Sequence, residues 1–244
     1  MGNAAQRKKI LRIAKFLRKR FGIPQRPEKT DLLDSLIQTI LSQSTTDHNR
    51  DLAFHRLKRE FSNWDSVANA KKTTIELAIH QAGLGNQKAE RIRAFLRWLQ
   101  KEKGNISLEF LHEKSTEEAI ALLTRHKGVG VKTAYVTLMQ ASGRDLFPVD
   151  VHIHRIFRRL DLIGLKTTPE KTHHEVAPYI PKGRAFELHM NLLSFGRTTC
   201  TARNPKCSQC DLTRMCQYFS DEITKKKCSP AKPNPSIKRK NQIS

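Results

Sequence analysis

Apolar residues recur at helical spacing almost everywhere along this chain. In "KAERIRAFLRWLQKE", Ile92, Phe95, Leu96 and Leu99 fall at i, i+3, i+4 and i+7, a single stripe of a 3.6-residue period. Start signals agree with that period. Thr30 and Asp31 precede "LLDSLIQTIL", Ser115 and Glu118 have capping-box spacing, and Thr168-Pro169 offers an N-cap followed by an N1 proline. No hairpin with alternating strands around it is found. The sequence therefore predicts an all-α chain of roughly ten short helices joined by short turns.

With 244 residues, 38% of them hydrophobic, the chain can bury one substantial core or two modest ones. Its 45 lysines and arginines against 23 acids give a formal net charge of +22. A charge that large suits a polyanion, usually nucleic acid; a ribosome-associated or merely very soluble basic protein is the alternative. The first 21 residues hold eight basic side chains and no acid, yet the middle stays basic as well. No apolar run approaches the ~20 residues of a membrane span. The N-terminus lacks the apolar core of a secretion signal, and Gln6 stands where myristoylation wants Ser or Thr. The expectation is a protein without membrane contact, cytoplasmic and nucleoid-associated if prokaryotic. "RKKILRIAKFLRKRF" has the amphipathic pattern of a transit peptide, but its simpler reading is a basic helix docking Ile10, Ile13, Phe16 and Leu17 on a core. From about Thr224 onward the sequence reads as a disordered basic tail.

The stretch "KGVGVKTA" sets Gly128 and Gly130 just ahead of a predicted helix carrying Lys132. Glycines permit positive φ and close backbone approach, and a helix N-terminus can hold a phosphate without side chains. Val131 separates the glycine from the lysine, unlike a Walker loop, and Thr133 takes the place of a third dinucleotide-fingerprint glycine. The remaining reading is a hairpin gripping a nucleic-acid phosphate. "GLGNQKA" from Gly83 to Ala89 echoes it, so two helix–hairpin–helix units are plausible. Lys132 is either one more phosphate contact or a nucleophile, since a helix N-terminus and basic neighbours favour the free amine. Asp150, in "FPVDVHIHRIFRRL", sits at an N-cap position and is also a carboxylate available to proton transfer or charge stabilisation. Asp150, His152 and His154 do not share a helix face, which argues against a metal site there.

"CTARNPKCSQCDLTRMC" places Cys200, Cys207, Cys210 and Cys216 at C-x6-C-x2-C-x5-C. Four thiols in so short a loop, without a secretion signal, ask for a soft metal centre rather than disulfides. Spacing leaves zinc and a [4Fe–4S] cluster both open. Cys228 falls in the predicted tail and reads as a bystander.

The Gly-Val-Gly-x-Lys-Thr-Ala hairpin, the Val-Asp-x-His segment and the cysteine spacing, in this order, resemble the endonuclease III family of helix–hairpin–helix DNA glycosylases, from about Asp31 to Cys216. The resemblance implies two α-helical domains flanking a DNA-binding cleft: a six-helix barrel over 30–147, and a discontinuous iron–sulfur domain from 1–29 with 148–218, followed by a basic tail over 219–244. It implies base-excision repair of duplex DNA by a monomeric DNA glycosylase and abasic-site lyase. Lys132 would attack the sugar and Asp150 support base loss. Gly128 and Gly130 would grip a phosphate, with Thr133 and His152 as further DNA contacts. Gln43 or Ser44 would enter the gap left by the flipped base, and Leu84 would wedge the opposing strand. The four cysteines would hold a structural [4Fe–4S] cluster. Oxidised pyrimidines are the expected lesions.

Three positions depart from the family pattern: His126 replaces an aliphatic residue, Thr124 a pocket glutamate and Gly85 a bulkier wedge-loop residue. They leave the reactive pair untouched and bear on the choice of base. The competing readings are a monofunctional mismatch glycosylase, against which Lys132 argues, and a non-catalytic DNA-binding module with a structural zinc site.

Overall fold

The computed structural model describes residues 3–26 and 30–228, with backbone alone for residue 3 and for 223–228. Among the described residues it is helical without strands: α1 (Asn3–Phe21), α2 (Leu32–Leu41), α3 (Asp47–Glu60), α4 (Trp64–Asn69), α5 (Lys72–Ile79), α6 (Gly85–Lys103), α7 (Thr116–Thr124), α8 (Val131–Ala141), α9 (Val151–Arg159), α10 (Pro169–Val176), α11 (Ala185–Thr198) and α12 (Gln217–Cys228). Short 3-10 turns lie between several of them, among them His80–Ala82.

The helices start where local chemistry dictates. Asp31 caps α2, accepting from the Asp34 N–H; Ser115 and Glu118 close a reciprocal capping box on α7; Thr168 caps α10 ahead of Pro169. The apolar faces so aligned form two separate cores. One gathers α2 to α8, with Leu36, Ile40, Ile92, Leu96 and Leu138 fully buried. The other joins α9, α10 and α11 to α1, so the chain returns to its own N-terminal helix after leaving the first core.

Ile10, Ile13 and Leu17 of α1 are fully buried in that second core. Each contributes about 1.5–3 kcal/mol, which offsets the mutual repulsion of the basic residues on the outer face. Arg18 adds a two-pronged contact to Glu187 of α11, Nε to Oε1 at 2.9 Å. Between the cores, Arg197 of α11 reaches Asp47 of α3 at 2.8 Å, and the Asp145 carboxylate accepts from the Gly183 and Ala185 N–H groups.

The tail is a correction. Residues 219–228 are not disordered: α12 runs through Cys228, because neither proline nor glycine interrupts "QYFSDEITKKKC". The remainder of the predicted tail, 229–244, lies outside the described residues. The helix count also exceeds the sequence expectation, since short segments such as α4 pass for turns.

Candidate active site

The two glycines between α7 and α8 do different jobs. Gly128 has φ +89°, and a Cβ on it would lie 2.2 Å from Arg91 Cδ, so conformation and packing both exclude a side chain. Gly130 is the N-cap of α8, and no neighbouring atom lies within 4 Å of where its Cβ would stand. Glycine offers no side-chain acceptor, so the first-turn N–H groups of α8 remain uncapped and point outward. Uncapped N–H groups at the positive end of a helix dipole are able to hold an anion.

Lys132 projects from this first turn with an exposed side chain. Thr133 beside it is buried, its hydroxyl 3.5 Å from Gln43 Nε2, so it can offer a ligand only its backbone N–H. Earlier in the turn, His126 packs between Phe95 and Trp98, ring centroids 4.7 and 4.2 Å away, and burial holds its imidazole below the usual pKa. It thus takes the place of an aliphatic residue as an aromatic one. Thr124 turns its hydroxyl back to the Ile120 carbonyl at 2.8 Å.

Asp150 follows Pro148 and caps α9, Oδ1 accepting from the Ile153 N–H at 2.8 Å. Its side chain is buried, and its second oxygen has no hydrogen-bond partner among the described residues. Beneath it lies His189 of α11, fully enclosed, with Nδ1 2.9 Å from the Pro148 carbonyl. A carbonyl can only accept, so Nδ1 carries the proton. Burial pushes the imidazole down to about 4; the Pro148 carbonyl and Asp150 pull upward, and Lys132 adds to the depression. His189 therefore feels both Lys132 and Asp150, and stays neutral beneath them. His173 of α10 is also buried and also held near 4, mainly by desolvation. His152 turns inward, Nδ1 3.0 Å from Arg155, whose guanidinium also holds the Gly196 and Cys200 carbonyls.

Two further loops carry expected DNA-contact residues. Gln43 donates to the Gly128 carbonyl at 2.9 Å and accepts from Arg91 at 3.0 Å, which ties its loop to the glycine turn. Ser44 beside it is exposed with φ +54°. Leu84 has φ +51° and is 51% exposed, an apolar side chain in the left-handed region facing solvent. A non-glycine residue in this region carries a local backbone cost that its surroundings must hold in place.

The cysteines sit at the other end of α9. Cys200, Cys207, Cys210 and Cys216 are all thiols and line one cavity with Ile156, Leu160, Phe195 and Leu212. Arg159 donates to the Cys200 sulfur at 3.3 Å and stacks over Tyr218 at 4.4 Å. Burial first, and the neighbouring sulfurs with it, push Cys210 up to about 11, against a lowering contact from the Leu212 backbone. Among the described residues no three such ligands converge on a point where one metal ion could sit.

Gln43, Gly128, Thr133 and Arg91 thus form one connected cluster, while the cysteines belong to a separate feature of the second core. Sequence reasoning missed Arg91, one charge among many on α6, and His189, hidden in the apolar stripe of α11. The unbranched space needed beside Gly128 was the one available hint of Arg91.

The family model for the HhH-GPD superfamily base excision DNA repair protein matches residues 37–182. Endonuclease III of Thermotoga maritima is 31% identical over 210 residues, 86% of this chain and 93% of that protein. An Arabidopsis thaliana protein named as a candidate DNA glycosylase is 37% identical over 183 residues, 75% of this chain. That match spans 60% of the plant protein's length. A solved non-covalent Endonuclease III–DNA complex superposes with a TM-score of 0.77 at 24% identity, over 89% of this chain and 98% of that one, a likeness of fold.

Proposed function

The chain belongs to the HhH-GPD superfamily of base excision DNA repair proteins, and from that premise we propose that it is an Endonuclease III-like bifunctional DNA glycosylase and abasic-site lyase. The observation that carries this reading is the setting of Lys132. It is an exposed primary amine in the first turn of an uncapped helix, and buried His189 lies within electrostatic reach of both it and Asp150.

Binding begins with charge: a protein of +22 gathers duplex DNA by displacing its counterions. The free N–H groups of α8 take one backbone phosphate. Extruding the damaged nucleotide costs unstacking energy, and exposed Leu84, with the Gln43–Ser44 loop, supplies the groups that fill the gap. Lys132 Nζ, as the free base, then attacks C1′ of the deoxyribose. The C1′–N bond to the base breaks with its electron pair, and the departing base takes up a proton. Asp150, held by Ile153, presents its remaining oxygen to stabilise positive charge on the sugar. Ring opening protonates O4′ and leaves an iminium between Nζ and C1′. Loss of a C2′ proton pushes electrons toward that iminium and expels the 3′ phosphate oxygen, which cuts the strand. Hydrolysis of the imine regenerates Lys132. Oxidised pyrimidines are the substrates we propose, as the resemblance of the sequence motifs implies.

The same premise assigns Cys200, Cys207, Cys210 and Cys216 to a [4Fe–4S] cluster. What supports the assignment is that all four are free thiols lining one shared, largely apolar cavity. When bound, the cluster would cross-link the segment from Cys200 to Cys216 to itself, packed beside Ile156 and Arg159 of α9, and would take no part in the strand chemistry. Purified protein should be yellow-brown with about four irons per chain. One zinc and no iron would refute the assignment.

The activity is tested by borohydride reduction on DNA carrying an abasic site. Wild type should form a covalent adduct and nick the strand. Lys132→Ala should lose both while binding duplex within about threefold of wild type. A variant that still traps would remove Lys132 from its role.

A further inference from the structure

Lys88, in the first turn of α6, is fully buried, 0% exposed. Among the described residues no acid pairs with it. Its ammonium instead donates to the Leu41 and Ala82 carbonyls, both at 2.8 Å. Each of those carbonyls ends a helical segment: Leu41 is the last residue of α2, and Ala82 closes the 3-10 turn His80–Ala82. Helix C-termini present unsatisfied carbonyls and the negative end of the dipole, so two of them converging can hold a buried cation without a carboxylate. Burial, and then the nearby Arg91, press its pKa down to about 8.

Each of the two carbonyls leads directly into a strained loop. Two residues beyond Leu41 comes Gln43, then strained Ser44; two residues beyond Ala82 comes strained Leu84. The backbone of α6 also anchors here, the Lys88 N–H donating to the Leu84 carbonyl at 3.0 Å. One side chain therefore fixes the roots of both loops, 47 and 6 residues away along the chain.

We propose that Lys88 is a positioning residue for nucleotide extrusion, setting the separation between the Gln43–Ser44 loop and the Leu84 loop so that both enter the DNA stack together. The inference rests on the proposed glycosylase/lyase reading, but it concerns opening the duplex and not the attack on the sugar. Lys88 touches neither substrate nor Lys132.

The two steps separate on one probe, an abasic-site oligonucleotide presented either in duplex or as a single strand. Only the duplex has a stack to open; both offer the same C1′ to Lys132. Lys88→Met keeps the side chain's length and removes the donor. In single-turnover borohydride trapping it should slow the duplex reaction about tenfold or more. The single-strand rate should stay within about twofold of wild type. Lys88→Gln, whose amide reaches one carbonyl, should fall between, and it carries the comparison if the methionine variant does not fold. Equal slowing on both substrates, or none on duplex, overturns the proposal. A wild-type protein that traps neither substrate instead overturns the lyase reading on which it rests.

Discussion

Arg91 occupies the volume that any side chain at position 128 would need: a Cβ on Gly128 would lie 2.2 Å from its Cδ and 2.6 Å from its Nε. The same guanidinium donates to Gln43, which in turn donates to the Gly128 carbonyl. Hairpin, loop and α6 are thus held in one closed circuit. Gly128→Ala must place an alanine at φ +89° and displace Arg91. The backbone alone costs about 1–3 kcal/mol. Thermal melts should show a loss of roughly 4 °C or more. Adding Arg91→Ala should recover the steric share and leave the backbone share, which a double-mutant cycle resolves. A fully additive cycle would show that the two residues do not meet.

Asp150 combines a structural and a chemical role that one substitution can divide. Asparagine caps helices as well as aspartate, so Asp150→Asn should preserve α9 and change stability by less than about 1 kcal/mol. Without the charge beside the sugar, single-turnover base excision should fall by about a hundredfold or more. If excision persists near the wild-type rate, the carboxylate is a cap and nothing further.

The two buried histidines make the fold sensitive to acid. In the unfolded chain an imidazole takes up a proton near 6.5, whereas His173 and His189 resist protonation to about 4. Between those values the unfolded state binds more protons. Their contribution to stability is complete above about pH 6.5 and declines as the pH falls toward 4. Denaturant titrations at pH 7 and 4.5 should show the decline, with a shallower slope in His173→Gln. A flat profile across that range would mean the rings are hydrated.

How much of this was legible in the sequence depends on how local the cause is. Asp150, Ser115 with Glu118, and Thr168 with Pro169 act on amides within four residues, and each was readable as a helix start. The stripe of Ile153, Ile156 and Phe157 named the buried face of α9 just as directly. Lys88 and Arg91 were not readable. Their burial depends on two helix ends and a glycine turn brought together from distant parts of the chain, and in "GNQKAERIRAF" they pass for solvent-facing charges. Thr133 is a DNA contact by family resemblance alone; helix rotation turns its side chain inward to Gln43, which leaves its backbone N–H as the group it can offer. The charged run before Cys228 read as a tail since composition is blind to a helix that α9 and the cysteine loop support.

Peptide mapping of the borohydride-reduced DNA adduct puts the question to the covalent bond itself. Digestion and mass spectrometry should place the sugar remnant on Lys132 and on no other amine. A remnant on Lys127, on Lys88 or on the N-terminus, with Lys132 unmodified, would contradict the account at its centre.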